Sequence, residues 1–216
     1  SLIINPLAVA VSLALALLLN RSKWYVGFFR TLCFLPSAIS LSVVAVIWGV
    51  MLDPHFGLAN SVLRMLGLQP QPFLTSSSQA LWCLMAMSLW RSAGYWMMFF
   101  LAGLQGIPQE VYEAAEIDGA GGLTRMFRIT LPLLARTMSF VLVSNTAFNF
   151  LTFAPVFILT RGGPMRSTNM LMYESYKSAF VNVDLGRATA ISSMLLVMIL
   201  ITSVIELRLT RASFEY

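Results

Sequence analysis

An all-helical, polytopic membrane protein is the fold class this sequence predicts, on three observations. Of 216 residues, 58% are hydrophobic and 11% charged, with a mean hydropathy of +0.78. A water-facing domain carries about a quarter charged residues, so this chain holds more apolar surface than one soluble fold buries. Five apolar stretches approach the roughly 20 residues needed to cross a hydrocarbon core at 1.5 Å rise per residue. None shows the two-residue alternation of a barrel strand, and helices satisfy every backbone polar group inside hydrocarbon. Residues 1–216 therefore read as a single transmembrane domain with about five visible helices.

The apolar stretches cover residues 3–19, 32–52, 80–104, 129–159 and 188–207. The fourth exceeds one crossing, so part of it is expected to tilt or lie in the interface. Pro36 and Pro155 are expected to bend the second and fourth spans. Arg21, Lys23 and Arg30 form the densest basic cluster, which places the first connection inside. Alternation then puts 53–79 outside, 105–128 inside, 160–187 outside and the 206–216 tail inside. Arg125, Arg128, Arg208 and Arg211 agree with the inside bias, while Arg64, Arg161, Arg166, Lys177 and Arg187 fall outside. This order needs an outside N-terminus, and no basic stretch precedes residues 2–19 as in a signal peptide. The expectation is that the first span of a six-span core precedes residue 1. The outer connections are punctuated by Pro and Gly, as in Asp53-Pro54-His55-Phe56-Gly57 and Gln69-Pro70-Gln71-Pro72, and read as turns.

Composition also narrows the chemistry. The net charge of +5 is spread along the chain without a basic run, which argues against nucleic-acid binding. Cys33 and Cys83 lie in apolar stretches and make no disulfide framework. His55 is the sole histidine, so no multi-histidine metal site is expected. No Gly-Lys pair exists to build a P-loop, and no G-x-S-x-G elbow is present. No catalytic residues, metal ligands or bound cofactor are expected in this chain. Work against a gradient would draw on an ion or on a partner subunit.

The most informative stretch lies in the 105–128 loop, from Ile107 to Gly119. Pro108 suits a first helical position, Glu110 and Glu113 suit the positive end of a helix dipole, and Gly119 suits a C-terminal stop. A short surface helix with an acidic face is expected, either solvated or serving as a docking element.

Two polar groups lie at membrane depth, where such residues usually face protein or water. Arg91, within Trp90-Arg91-Ser92-Ala93-Gly94-Tyr95, sits near the middle of the third span with no mid-span acid to pair it. It snorkels, meets a partner, or faces a water-filled path. Asn145, Asn149 and Thr152 fall at i, i+4 and i+7 of the fourth stretch, beside Phe148. Either they bond neighbouring helices or they bond solute hydroxyls, with Trp90, Tyr95 and Phe148 stacking on an apolar sugar face. Residues 165–186, with Tyr173, Glu174, Tyr176, Lys177 and Phe180, form either an interfacial helix or a partner-contacting one.

Glu113-Ala114-Ala115, then Gly119, then Ile129-x-Leu131-Pro132 resembles the EAA loop of permease subunits of ATP-binding-cassette (ABC) importers. Arg30-Thr31-Leu32, Leu35-Pro36, Phe56-Gly57-Leu58-Ala59-Asn60, Leu101-Ala102-Gly103-Leu104-Gln105 and Thr160-Arg161-Gly162-Gly163-Pro164 are similar to the carbohydrate-importer branch, the maltose and glycerol-3-phosphate type. The resemblance implies a multi-pass subunit of the bacterial inner membrane. It implies a second permease, two ATPase subunits that carry the ATP and Mg, and an extracytoplasmic binding protein. Glu113, Ala114, Ala115 and Gly119 would couple to the ATPase. Trp90, Arg91, Ser92, Tyr95, Asn145, Phe148, Asn149 and Thr152 match positions that line the sugar path of maltose-type permeases. Arg91, Ser92, Asn145 and Thr152 differ in type from the maltose pattern, so another sugar or a glycerol phosphate is an equal expectation. A secondary transporter or receptor working without ATPase partners is the rival; secondary transporters often carry mid-membrane acids for ion coupling.

Overall fold

The structure, a computed structural model, describes residues 3–21 and 23–211. The last five residues of the expected inside tail lie outside the described residues. Among the described residues every regular element is helical. The order is α1 (Ile4–Leu19), α2 (Trp24–Ala38), α3 (Leu41–Met51), α4 (Leu58–Met65), a 3₁₀ turn (Phe73–Thr75), α5 (Ala80–Gln105), α6 (Gln109–Ile117) and α7 (Gly122–Arg125). A π-helical stretch (Met126–Thr130), α8 (Leu131–Leu133), α9 (Ala135–Phe150), a second π stretch (Val156–Thr160), α10 (Leu171–Tyr176), a third π stretch (Lys177–Val181) and α11 (Leu185–Arg211) follow.

All five expected apolar stretches are helical, but their geometry differs from uniform crossings. α1 has 16 residues, about 24 Å of helix and short of a core about 30 Å thick. Residues 24–51 form two helices joined by a sharp break at Ile39 and Ser40. The expected bend at Pro36 is thus displaced: Pro36 sits within α2, and Ser40 starts the next helix by accepting from the Val43 N–H at 3.3 Å. The long fourth stretch is divided by breaks. Gly122–Leu133 and Ala135–Phe150 meet at 64°, α9 ends at Phe150, and Pro155 precedes a separate π-helical stretch rather than bending one helix. Residues 185–210 form the one described unbroken helix that is both long and apolar enough to cross; each bent pair, if it counts as a single span, supplies one more. α5 has 26 residues and the length to cross, with Arg91 near its centre.

The chain divides into two compact units. One comprises the described parts of Ser1–Leu35, Ser92–Ala147 and Ile201–Tyr216. Its core gathers Leu13, Ala16, Trp96, Met97, Phe100, Leu101, Leu104, Leu134 and Val141. Two glycines permit its close helix crossings. A Cβ on Gly94 would collide with the Cys33 carbonyl, and one on Gly103 would lie 2.8 Å from both Leu134 Cδ2 and Thr137 Oγ1. Small residues are the usual means by which membrane helices approach backbone to backbone. The other unit, Pro36–Arg91 with Phe148–Leu200, has a core of Val44, Ala45 and Met87 flanked by Trp48, Ile158 and Leu159.

Candidate functional site

The loop between α5 and α8 belongs to the first unit and is built around α6. Pro108 lies one position before the helix rather than in its first turn. Glu110 occupies that turn, where a carboxylate favours the exposed N–H groups. Gln109 Nε2 donates to Glu113 Oε1 at 2.8 Å, one turn along the same face. Ala114 is exposed while Ala115 is 6% exposed, so the two alanines lie on different faces.

The far end of α6 explains its glycine. Gly119 N–H bonds Glu116 O at 3.0 Å and Ala120 N–H bonds Ala115 O at 2.9 Å, the paired bonds of a Schellman ending. That ending needs a left-handed residue, and Gly119 has φ +75° with open space around its Cβ position. The requirement for glycine is therefore conformational and not steric. Two contacts stiffen the return to the spans. Tyr112 Oη and Thr130 Oγ1 share a hydrogen bond of 3.2 Å, and Arg125 pairs with Glu116 at 3.4 Å. Beside the acids the loop exposes Ile117, Leu123 and Phe127.

The polar residues of the spans have specific partners. Arg91 donates to the carbonyls of Ser37 (3.4 Å) and Ile39 (3.3 and 3.4 Å). These acceptors lie where α2 gives way to α3, so the guanidinium acts as a C-terminal cap. Arg30 does the same for α1, donating twice to Leu19 O at 2.8 and 3.1 Å.

Asn145 is 3% exposed and closes a buried network. Trp96 Nε1 donates to Asn145 Oδ1 (2.9 Å), Asn145 Nδ2 to Asn5 Oδ1 (3.2 Å), Asn5 Nδ2 to Thr146 Oγ1 (2.6 Å) and Thr146 Oγ1 to Glu206 Oε1 (2.7 Å). The chain of bonds ties α1, α5, α9 and α11. Of the two readings of Asn145, this geometry supports the helix-bonding one. Glu206 is part of α11, which continues the fifth apolar stretch to Arg211.

The expected stripe on α9 is also interrupted. Thr152 lies beyond the helix end and donates back to Phe148 O at 3.3 Å, so it does not continue the face of Asn145 and Asn149. Phe148 is exposed and Asn149 half-buried. Trp90 is exposed with Trp48 at 6.0 Å between centroids. Tyr95 is exposed and packs edge-on against Trp96 and Phe99, and Ser92 is half-buried. Ser92, Tyr95 and Asn145 belong to one unit; Trp90, Arg91, Phe148, Asn149 and Thr152 belong to the other.

Sequence reasoning did not single out Asn60, which is fully buried in the outer connection. Its Nδ2 donates to Pro54 O (3.0 Å) and Gln71 O (2.9 Å), and its Oδ1 accepts from Gln71 N–H (2.8 Å). Gly57 is needed beside it because a Cβ would collide with the carbonyls of Asp53 and Met51. Asp53 accepts from the N–H groups of His55 and Phe56, and those two bonds hold its carboxyl below the usual carboxylate range. In the second outer connection Thr168 bonds Thr160 and Gly163 O, each at 2.7 Å, and Gly162 at φ +80° lies against Tyr173. Glu174 accepts from Asn169 Nδ2 (3.0 Å) and pairs with Arg187 (2.9 Å); the Asn169 bond lowers its pKa most, burial opposes it, and the charges of Arg187, Lys177 and Arg166 add to the lowering. Among the described residues no group of three or more His, Cys, Asp or Glu side chains gathers as a metal site.

Broken and glycine-packed apolar helices with a short acidic surface helix place the chain in the class of helical membrane proteins. The chain belongs to the family of binding-protein-dependent transport system inner membrane components, whose profile matches residues 8–213. It is 37% identical, over its whole length and 75% of the relative's, to the sn-glycerol-3-phosphate transport system permease protein UgpA of Agrobacterium fabrum. It is 36% identical to the protein of that name from Brucella suis, over 97% of this chain and 72% of that one. A crystal structure of a bacterial ABC transporter involved in import of the acidic polysaccharide alginate contains a chain that superposes with a TM-score of 0.84. That match has 24% identity and covers 99% of this chain and 77% of the other. The alginate transporter in complex with its alginate pentasaccharide-bound periplasmic protein gives 0.84 at 25% identity, over 98% and 76%. The resemblance to carbohydrate-type ABC importer permeases is borne out, and the rival without that machinery is set aside.

Proposed function

We propose that this subunit pairs with a second permease, two ATPase subunits and an extracytoplasmic binding protein in a bacterial plasma membrane. Together they import a small anionic or polyhydroxylated solute of the sugar or glycerol-phosphate type by alternating access. The observation that carries the reading is α6. It is short, bears Glu113 and Ala114 on its exposed side, and ends in a fixed left-handed turn at Gly119. ATPase closure can move spans only through a contact that does not flex, and α6 is tied at Thr130 and at Arg125. In this reading Glu113 makes the polar contact to the ATPase, Ala114 allows close approach, Ala115 seats the helix on its own subunit, and ATP with Mg binds on the partner. The glycerol-phosphate side of the substrate class rests on the relatives named UgpA, and the saccharide side on the alginate importer.

Trp90, Ser92, Tyr95, Phe148, Asn149 and Thr152 remain the candidate path residues. Arg91 and Asn145 serve as braces, because carbonyls and amides of this chain occupy them. The test is uptake by proteoliposomes holding the complete importer, binding protein and internal ATP, across neutral sugars and glycerol phosphates. Saturable ATP-dependent uptake of at least one such solute, weakened by Asn149→Ala or Tyr95→Ala through a raised KM, is expected. Uptake that proceeds unchanged without ATP would refute the reading.

A further inference from the structure

α4 follows the end of α3 after a short turn, and its residues segregate sharply. Leu58, Val62, Met65 and Leu66 recur at i, i+4, i+7 and i+8 on one face, joined by Phe56 just before the helix. All five are exposed, Phe56 at 91% and Met65 at 86%. The opposite face cannot exchange with this one, because Asn60 is fully buried and holds Pro54 and Gln71 by three hydrogen bonds. The apolar face is therefore fixed outward. Arg64, the one formal charge between Asp53 and Arg91, lies on the polar side of the helix near Asn60, with its guanidinium bonded to Asn60 O and His55 O.

We propose that α4 is an interfacial anchor whose face of Phe56, Leu58, Val62, Met65 and Leu66 lies in the surface of the lipid bilayer. Three observations select lipid over a protein partner. α4 follows directly on α3, which with α2 is apolar and long enough to serve as one bent span and which exposes Val43, Val46 and Val50. It is aliphatic with one Met and one Phe and has no Trp, Tyr or Arg at its centre, the anchors that dominate protein interfaces. A short helix with an uncharged apolar face and its one cation on the polar side suits the boundary between acyl chains and headgroups. The inference goes beyond the transport reading and does not depend on which solute is carried.

The test places a nitroxide label at Met65→Cys in a chain carrying Cys33→Ala and Cys83→Ala. The complete importer is reconstituted in nanodiscs of phosphatidylethanolamine with a minority of phosphatidylglycerol. Collision with apolar oxygen is expected to exceed collision with a water-soluble nickel complex at Met65, and the reverse is expected at Gln69→Cys in the following turn. Nickel access at Met65 equal to that at Gln69 would overturn the proposal in favour of a solvated face. Shielding from both reagents would overturn it in favour of a protein partner. Should the label disturb folding, benzoylphenylalanine at Leu66 provides a second measurement: crosslinks to lipid support the anchor, and crosslinks to a subunit contradict it.

Discussion

The guanidinium of Arg91 donates to the carbonyl of Ile39 through both Nε and Nη2, at 3.4 and 3.3 Å, and so binds the middle of one apolar helix to the break in another. A charge this deep is costly unless it is occupied, and here the backbone carbonyls of Ser37 and Ile39 accept from it. Arg91→Ala removes these charged-donor hydrogen bonds, at about 1.5–3 kcal/mol. A lowered melting temperature of the purified complex, with the KM for solute unchanged, is the expected result. A raised KM with stability intact would put Arg91 in the path instead.

Gly94 has no room for a side chain against Cys33. Gly94→Val is expected to prevent close packing of α2 on α5 and reduce the amount of assembled subunit in the membrane. Gly67→Ala, with nothing near its Cβ position but φ +72°, should cost about 1–2 kcal/mol of local strain and leave assembly intact. Quantitative immunoblotting of membranes distinguishes the two.

The buried network predicts coupled losses. Thr146→Val removes the donor to Glu206 and the acceptor for Asn5 together, and should destabilise by about 1–3 kcal/mol. Asn145→Ala should do likewise by stranding Trp96 Nε1. The double variant should cost less than the sum, since neighbours in one network are not additive. Thermal denaturation of the four proteins of that cycle checks it.

The lowered pKa of Glu174 has a definite sign. A carboxyl whose folded pKa is depressed contributes stability that is present above its unfolded value, about 4.3, and is lost as pH falls through the folded value. Protection of residues 169–187 against hydrogen exchange, corrected for intrinsic rate, is expected to fall as pH drops below the ordinary glutamate range and through the lowered folded value. Glu174→Gln should remove that dependence while keeping the Asn169 contact in part.

Helical class, the five apolar stretches and the α6 turn were legible because they depend on local signals: apolar run length, acids at a helix start, a glycine at its end. The breaks were not. Pro36 looked like the bend, but Ser40 supplies a cap that no hydrophobicity pattern displays. Asn145 and Asn149 share a face by spacing, yet a partner distant in sequence, Trp96, claims the first. The same applies to Arg91, whose acceptors are main-chain carbonyls and leave no mark in side-chain composition. Asn60 entered the sequence reading only as the last residue of the Phe56–Asn60 motif, and its three hydrogen bonds become evident only when the connection folds back.

The central claim is that α6 transmits ATPase closure to the spans. It is tested most directly by ATP-dependent uptake and solute-stimulated ATP hydrolysis of the reconstituted importer carrying Glu113→Lys or Gly119→Asp, with insertion of the subunit verified. The account predicts that both variants insert and that uptake falls to background. Normal uptake in both, with the subunit in the membrane at wild-type amount, would contradict it.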